Sequence, residues 1–157
     1  FDRSGLSDLN TSIVIETEKG MRCLKRGRNI GLISTGIMTH TALKVANLLR
    51  EFNIHVAVLD VFTIKPFNVS EFRRFIDAND IHNVVTLEEN LLAGGFGSLI
   101  LEEVNDKQIN GIKILRIGQD DKFVFDMGGR EAIWKKYGLD AQSISQRILK
   151  FLLKDIV

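Results

Sequence analysis

The chain has 157 residues, 45% of them hydrophobic, 26% charged and 8% aromatic, which is the composition of one ordinary globular domain. Twenty-one Lys+Arg against 20 Asp+Glu leave a net charge of +1, too little to attract nucleic acid generally. No apolar run reaches the ~18 residues of a membrane span, and the one cysteine, Cys23, can close neither an internal disulfide nor a zinc site alone.

Residues 1–10 are polar, with Ser4-Gly5 and Ser7-Asp8, and read as a loop. The chain opens on Phe1 without a basic-then-apolar leader, so it reads as an excised or processed part of a cytoplasmic protein. Thr11 to Thr17 holds a short extended piece, Ile13-Val14-Ile15. Met21 to Arg26, bracketed by Gly20 and Gly27, alternates imperfectly and predicts a short strand or hairpin arm.

From Asn29 the pattern sharpens. Ile30 to Ile33 is an apolar run closed by Ser34-Thr35-Gly36, and Met38, Ala42, Val45, Ala46 and Leu49 then recur at helical spacing. Ile54 to Leu59 is apolar on both parities apart from His55. That predicts a strand covered on both faces, as in a parallel sheet between helix layers. A helix over Ser70–Ala78, a strand over Val84–Leu87, a helix over Gly97–Val104 and a strand over Ile112–Ile117 follow. A long connection from Gly118 to Gly129 leads to a helix over Arg130–Tyr137, stopped by Gly138, and to a last helix over Ser143–Asp155. Strands alternating with helices in this way predict a three-layer α/β/α sandwich on a mostly parallel sheet of about five strands.

Ligands of such folds bind beyond the carboxyl ends of the strands, so the chemistry is sought at Ser34-Thr35-Gly36, Asp60, Glu88-Glu89-Asn90 and Gly118-Gln119-Asp120-Asp121. Gly94-Gly95-Phe96-Gly97-Ser98 precedes a helix and suits either a tight turn that lets the helix pack hard on the sheet or an anion site at the helix start. A dinucleotide fingerprint is not met: counted from Gly95, its third glycine falls on Ile100, and Leu115 stands where an acid is needed. A phosphoryl-accepting reading of Asp60 lacks the acidic pair that should follow the first parallel strand. The pairs Glu88-Glu89 and Asp120-Asp121 are poor metal clamps, because neighbouring side chains on extended chain point to opposite sides. The basic cluster Arg22, Lys25, Arg26 and Arg28 reads as a solvated turn or a contact with another domain, and His40, His55 and His82 show no ligand spacing.

Taken in order, several segments resemble the C-terminal domain of the transketolase-like, thiamine-diphosphate-dependent enzymes. That family includes transketolase, 1-deoxyxylulose-5-phosphate synthase and the β subunits of 2-oxoacid dehydrogenases. The segments are Ile33-Ser34-Thr35-Gly36 with Ala42-Leu43, Leu59 to Asn68, Val85 to Asn90 with Gly94 to Ser98, Arg116-Ile117-Gly118 with Asp121, and Tyr137 to Asp140. The resemblance runs from about Gly27 to Leu153. Asn68 stands where the family commonly has Asp, and Asn caps a helix about as well.

The resemblance implies that residues 1–10 are the tail of the preceding pyrimidine-binding domain and 11–157 the C-terminal domain proper. Arg3 would match a family arginine that contacts the substrate phosphate, and Asp60, Glu88 and Glu89 would position strands and loops rather than catalyse. Gly36, Gly94, Gly95 and Gly97 remain turn residues or an anion site. The family holds the cofactor diphosphate through Mg²⁺ with a Gly-Asp-Gly motif that this sequence lacks. The intact enzyme is therefore expected to use thiamine diphosphate and Mg²⁺ to transfer two-carbon units between sugar phosphates or related substrates, as a homodimer. This portion would be a structural and dimerisation domain beside the catalytic domains, itself inactive, with no cofactor, nucleic acid or membrane partner. Phe62 to Pro66 leans toward a split or short transketolase, whereas Glu89-Asn90 with Gly94 to Ser98 leans toward 1-deoxyxylulose-5-phosphate synthase. A free-standing module binding a small ligand or nucleotide near Gly36 and Gly94–Gly97 is the competing reading.

Overall fold

The computed structural model describes residues 17–122, 125 and 127–153. Arg3, the extended piece over 11–16 and the last turn expected through Asp155 lie outside them.

Ile30 and Leu32 on one parity and Ile33 on the other bury both faces of β2 (Asn29–Ser34), which makes it the centre of the sheet. The strands β1 (Met21–Lys25), β3 (Ala57–Val61), β4 (Ile81–Leu91) and β5 (Lys113–Gln119) join it in the order β1-β3-β2-β4-β5. The last four pair in parallel, and β1 lies antiparallel on β3. This is the mostly parallel five-stranded sheet that the sequence predicts.

Period-2 alternation divides the core in two. Ile30, Leu32, Val58, Val85, Leu87 and Ile117 face helices α1 (Met38–Glu51) and α5 (Ala141–Leu153). Ile33, Leu59, Val61 and Val84 face α2 (Val69–Ala78) and α3 (Phe96–Asp106). The expected stripe of α1, Met38, Ala42, Val45, Ala46 and Leu49, is wholly buried. Burial at ~25 cal/mol per Å² of apolar surface is the main force holding these layers. The short helix α4 (Arg130–Tyr137) buries no residue and ends at Gly138 in the left-handed conformation, φ +70°.

Several boundaries move. The segment Met21–Lys25 is a strand but not a hairpin arm: it passes over its sequence neighbour β2 and pairs with β3, Arg22 opposite Asp60. The strand expected over Ile54–Leu59 begins at Ala57 and runs to Val61, so Asp60 lies within it. The strand expected over Val84–Leu87 runs from Ile81 to Leu91 and absorbs Glu88-Glu89-Asn90, which are strand residues and not a loop. Periodicity misses this extension because polar side chains there break the apolar run while the backbone ladder to β5 continues to Gln119.

After β2 the chain builds outward to β3, then crosses back to β4 on the other side of β2. The reversal makes a switch point at the carboxyl ends of β2 and β4, where open α/β sheets form a crevice.

Candidate functional site

At the carboxyl edge, Asp60, Ser34, Leu87 and Ile117 stand level across β3, β2, β4 and β5. Two buried carboxylates sit here, on opposite faces of the sheet.

Asp60 points toward α1. Its Oδ1 accepts from the Thr39 hydroxyl at 2.8 Å, and its Oδ2 accepts from Arg22 Nε at 3.0 Å. Ser34 Oγ lies 3.1 Å from Thr39 Oγ1. Asp60 thus ties the edge strand β1, the central strand β2 and the first turn of α1 together through side chains. With only 9% of its side chain exposed and 17% of Arg22's, the ion pair is largely withdrawn from water.

Glu88 points toward α3 and is fully buried. Its two oxygens accept from the backbone N–H groups of Phe96, at 2.6 Å, and Gly97, at 2.8 Å. Those are free donors of the first turn of α3, whose N-cap, Gly95, has no side chain to offer. Burial pushes the Glu88 carboxyl above its ordinary range, against the pull of the Gly97 and Phe96 N–H groups and the positive charge of Arg116. The helix start is therefore already occupied by a carboxyl group that the protein itself supplies.

The glycines act in two ways. Gly36 and Gly94 have φ of +58° and +68° with open space around them, and serve as turns. Gly95 and Gly97 instead allow close approach. A Cβ on Gly95 would stand 2.2 Å from Glu88 Oε2 and 2.2 Å from the Leu91 carbonyl oxygen. One on Gly97 would stand 2.7 Å from Thr86 Oγ1 and 3.0 Å from Glu88 Oε1.

Two further residues complete this cluster: Arg116, which the sequence did not single out as a site residue, and Gly118, the first of the positions considered after the last strand. Arg116 Nη1 donates to the Leu92 carbonyl at 2.9 Å and to Ser98 Oγ at 3.0 Å, pinning the turn between β4 and α3. Gly118 leaves room for the Glu88 side chain, whose Cγ would be 2.8 Å from a Cβ there. The available signal is Arg116 itself, a charge between the apolar Leu115 and Ile117 in the middle of the strand.

The sequence pairs part company. Glu89, next to buried Glu88, is exposed, with its Oε2 3.9 Å from Arg130 Nε. Asp120 is exposed and 3.3 Å from Lys122 Nζ. The basic cluster disperses: Arg22 goes to Asp60, Lys25 to Asn47 and Arg28 to Asp80.

A family model, the C-terminal domain of transketolase, matches residues 20–144. The chain belongs to that family. The transketolase-family C-terminal domain is 35% identical over 128 residues to 1-deoxy-D-xylulose-5-phosphate synthase of Clostridium acetobutylicum, covering 82% of this chain and 20% of that protein. It is 34% identical over 148 residues to the enzyme of the same name from Caldanaerobacter subterraneus, covering 94% and 23%. The chain thus spans between a fifth and a quarter of the length of these relatives. A solved split-gene transketolase, described as an inactive β4 tetramer, superposes with a TM-score of 0.79 at 29% identity, over 94% of this chain and 47% of that one. Transketolase from Campylobacter jejuni shares the fold, with a TM-score of 0.65 at 14% identity over 92% of this chain and 21% of that one.

Among the described residues no three His, Cys, Asp or Glu side chains are grouped to hold a metal ion. The N–H groups of α3 that could cradle a phosphate are occupied by Glu88. Among the described residues no helix is long and apolar enough to cross a membrane.

Proposed function

We propose that this domain is a structural and dimerisation domain of a transketolase-family enzyme that transfers two-carbon units between sugar phosphates or related substrates. The thiamine-diphosphate chemistry then belongs to catalytic domains outside residues 11–157, on the same polypeptide or a partner subunit. Residues 1–10 are the tail of the preceding domain in this reading, and Arg3 is its substrate-phosphate contact, a role suited to the planar guanidinium fork. One observation carries the reading: at the carboxyl edge, where an α/β domain keeps its reactive groups, both buried carboxylates are consumed by the fold. Asp60 is spent on Arg22 and Thr39, and Glu88 on the start of α3.

The chain alone is expected to give no heat with thiamine diphosphate and Mg²⁺ in a calorimeter and no turnover. Co-expression with a chain carrying the two catalytic domains is expected to restore two-carbon transfer and to yield a dimer. Tight, Mg²⁺-dependent cofactor binding by the chain alone overturns the proposal. In the restored enzyme, Arg3→Ala is expected to raise KM for a phosphorylated substrate more than it lowers kcat.

A second reading narrows the first. The two curated relatives above carry the name 1-deoxy-D-xylulose-5-phosphate synthase, which favours that product over an exchanged ketose phosphate. Mass analysis of the product of the restored enzyme decides between them.

A further inference from the structure

On the α2 face of the sheet, a cleft of about 320 Å³ opens between β1 and α2. That is the lower end of the size range of small-molecule sites, enough for one ring and a substituent. Its floor is apolar, made by Met21, Leu59 and Phe75, each at most 5% exposed. Lys19, Arg26 and Arg74 stand at its walls with one carboxylate, Glu71; Arg22 also lines it, but its guanidinium is turned away to Asp60 on the α1 face of the sheet.

Arg74 gives Nη1 to Glu71. Arg74 nevertheless keeps 66% of its side chain exposed, and a guanidinium has five donors. Arg26 is exposed at the same opening. Two guanidinium forks beside an apolar floor suit a phosphate carried on a small apolar body: the forks take the oxygens in pairs, and the floor takes the ring.

We propose that the cleft between β1 and α2 is a binding site for a small phosphate monoester with an apolar body, held by Arg26 and Arg74 over Met21, Leu59 and Phe75. The proposal stands apart from the family reading, since it uses neither the Asp60 nor the Glu88 carboxylate and no catalytic domain.

Cys23 makes the test local. It lines the cleft, its side chain is accessible, and it is the sole cysteine of the chain, so its modification reads out occupancy by mass without ambiguity. Partial burial pushes its thiol pKa up, so labelling with N-ethylmaleimide is run at alkaline pH. Phenyl phosphate is expected to slow labelling saturably, by a factor approaching 1 + [L]/Kd, or about tenfold at ten times Kd. Inorganic phosphate and benzyl alcohol, each with half of the chemistry, are expected to protect only at far higher concentration. The double variant Arg26→Ala, Arg74→Ala changes two exposed side chains and is expected to keep its melting curve while losing protection. Ala78→Phe, which fills the cleft from α2, is expected to lose it without a change of charge.

No protection at millimolar phenyl phosphate overturns the proposal, and so does protection that survives both variants. Protection by an acidic peptide but not by phenyl phosphate overturns it in favour of a protein-docking surface.

Discussion

Helices α2 and α3 lie side by side on the same face of the sheet, yet their first turns are completed in different ways. In α2 the cap is local: the Asn68 side chain accepts from the Glu71 N–H at 3.1 Å. In α3 the N-cap is Gly95, and the acceptor is Glu88, eight residues before Phe96 on β4. A local cap stabilises one helix. A cap from the preceding strand also fixes where the helix sits on the sheet, and it works only if strand and helix come within hydrogen-bonding distance. Glycine at 95, 97 and 118 makes that distance available.

The strongest way to break the contrast is Gly95→Val. A Cβ there would overlap both the Glu88 carboxylate and the Leu91 carbonyl oxygen, and the backbone atom cannot step aside. The expected loss is ~3 kcal/mol, the upper end for overpacking, read as a lowered midpoint in urea. An unchanged midpoint would show that the strand–helix contact is looser than described.

Glu88→Ala comes next. It leaves the Phe96 and Gly97 N–H groups buried without their acceptor, a loss of about 2–3 kcal/mol. Glu88→Gln is expected to cost less, because one amide oxygen still accepts from the helix start.

The pH dependence separates these two variants further. The folded Glu88 carboxyl titrates above its ordinary value of 4.5. The folded protein therefore binds this proton more tightly than the unfolded chain does. Stability from the group is complete below about pH 4.5 and is lost as pH rises through the raised value. Measured against Glu88→Gln, which has no such proton, the wild type is expected to gain relative stability on acidification from neutral pH toward 4.5. Denaturant midpoints of both proteins across that interval check the sign. A relative loss on acidification would mean that the two N–H bonds outweigh burial.

The smallest effect belongs to the local cap. Asn68→Ala is expected to cost about 1 kcal/mol, and Asn68→Asp to change stability by no more than a few tenths. A larger cost for Asn68→Ala than for Glu88→Ala would reverse the ranking of the two caps.

The same contrast marks how far the sequence can be read. The cap at Asn68 is visible because an N-cap acts over three residues, and the stop at Gly138 because a left-handed residue after a helix is a local demand. Asp60 and Glu88 were visible as acids near strand ends, with structural roles coming from the resemblance. Their partners were not visible. Thr39 and Arg22 reach Asp60 from 21 and 38 residues away, and Arg116 reaches Ser98 across a strand and a helix. Nothing in spacing announces which of the adjacent carboxylates, Glu88 or Glu89, turns inward.

Periodicity and ordered motifs are properties of neighbouring residues, so the alternation of strands and helices, the two-faced burial of β3 and the membership that the family match reports could all be read along the chain. The pairing of β1 with β3 past its neighbour β2, the continuation of β4 through Leu91 and the enclosure of the protein's own carboxylate by the glycine-rich turn are tertiary outcomes. Those outcomes depend on which distant groups meet when the layers close, and burying a carboxylate is tolerable only where donors from elsewhere in the chain are waiting for it.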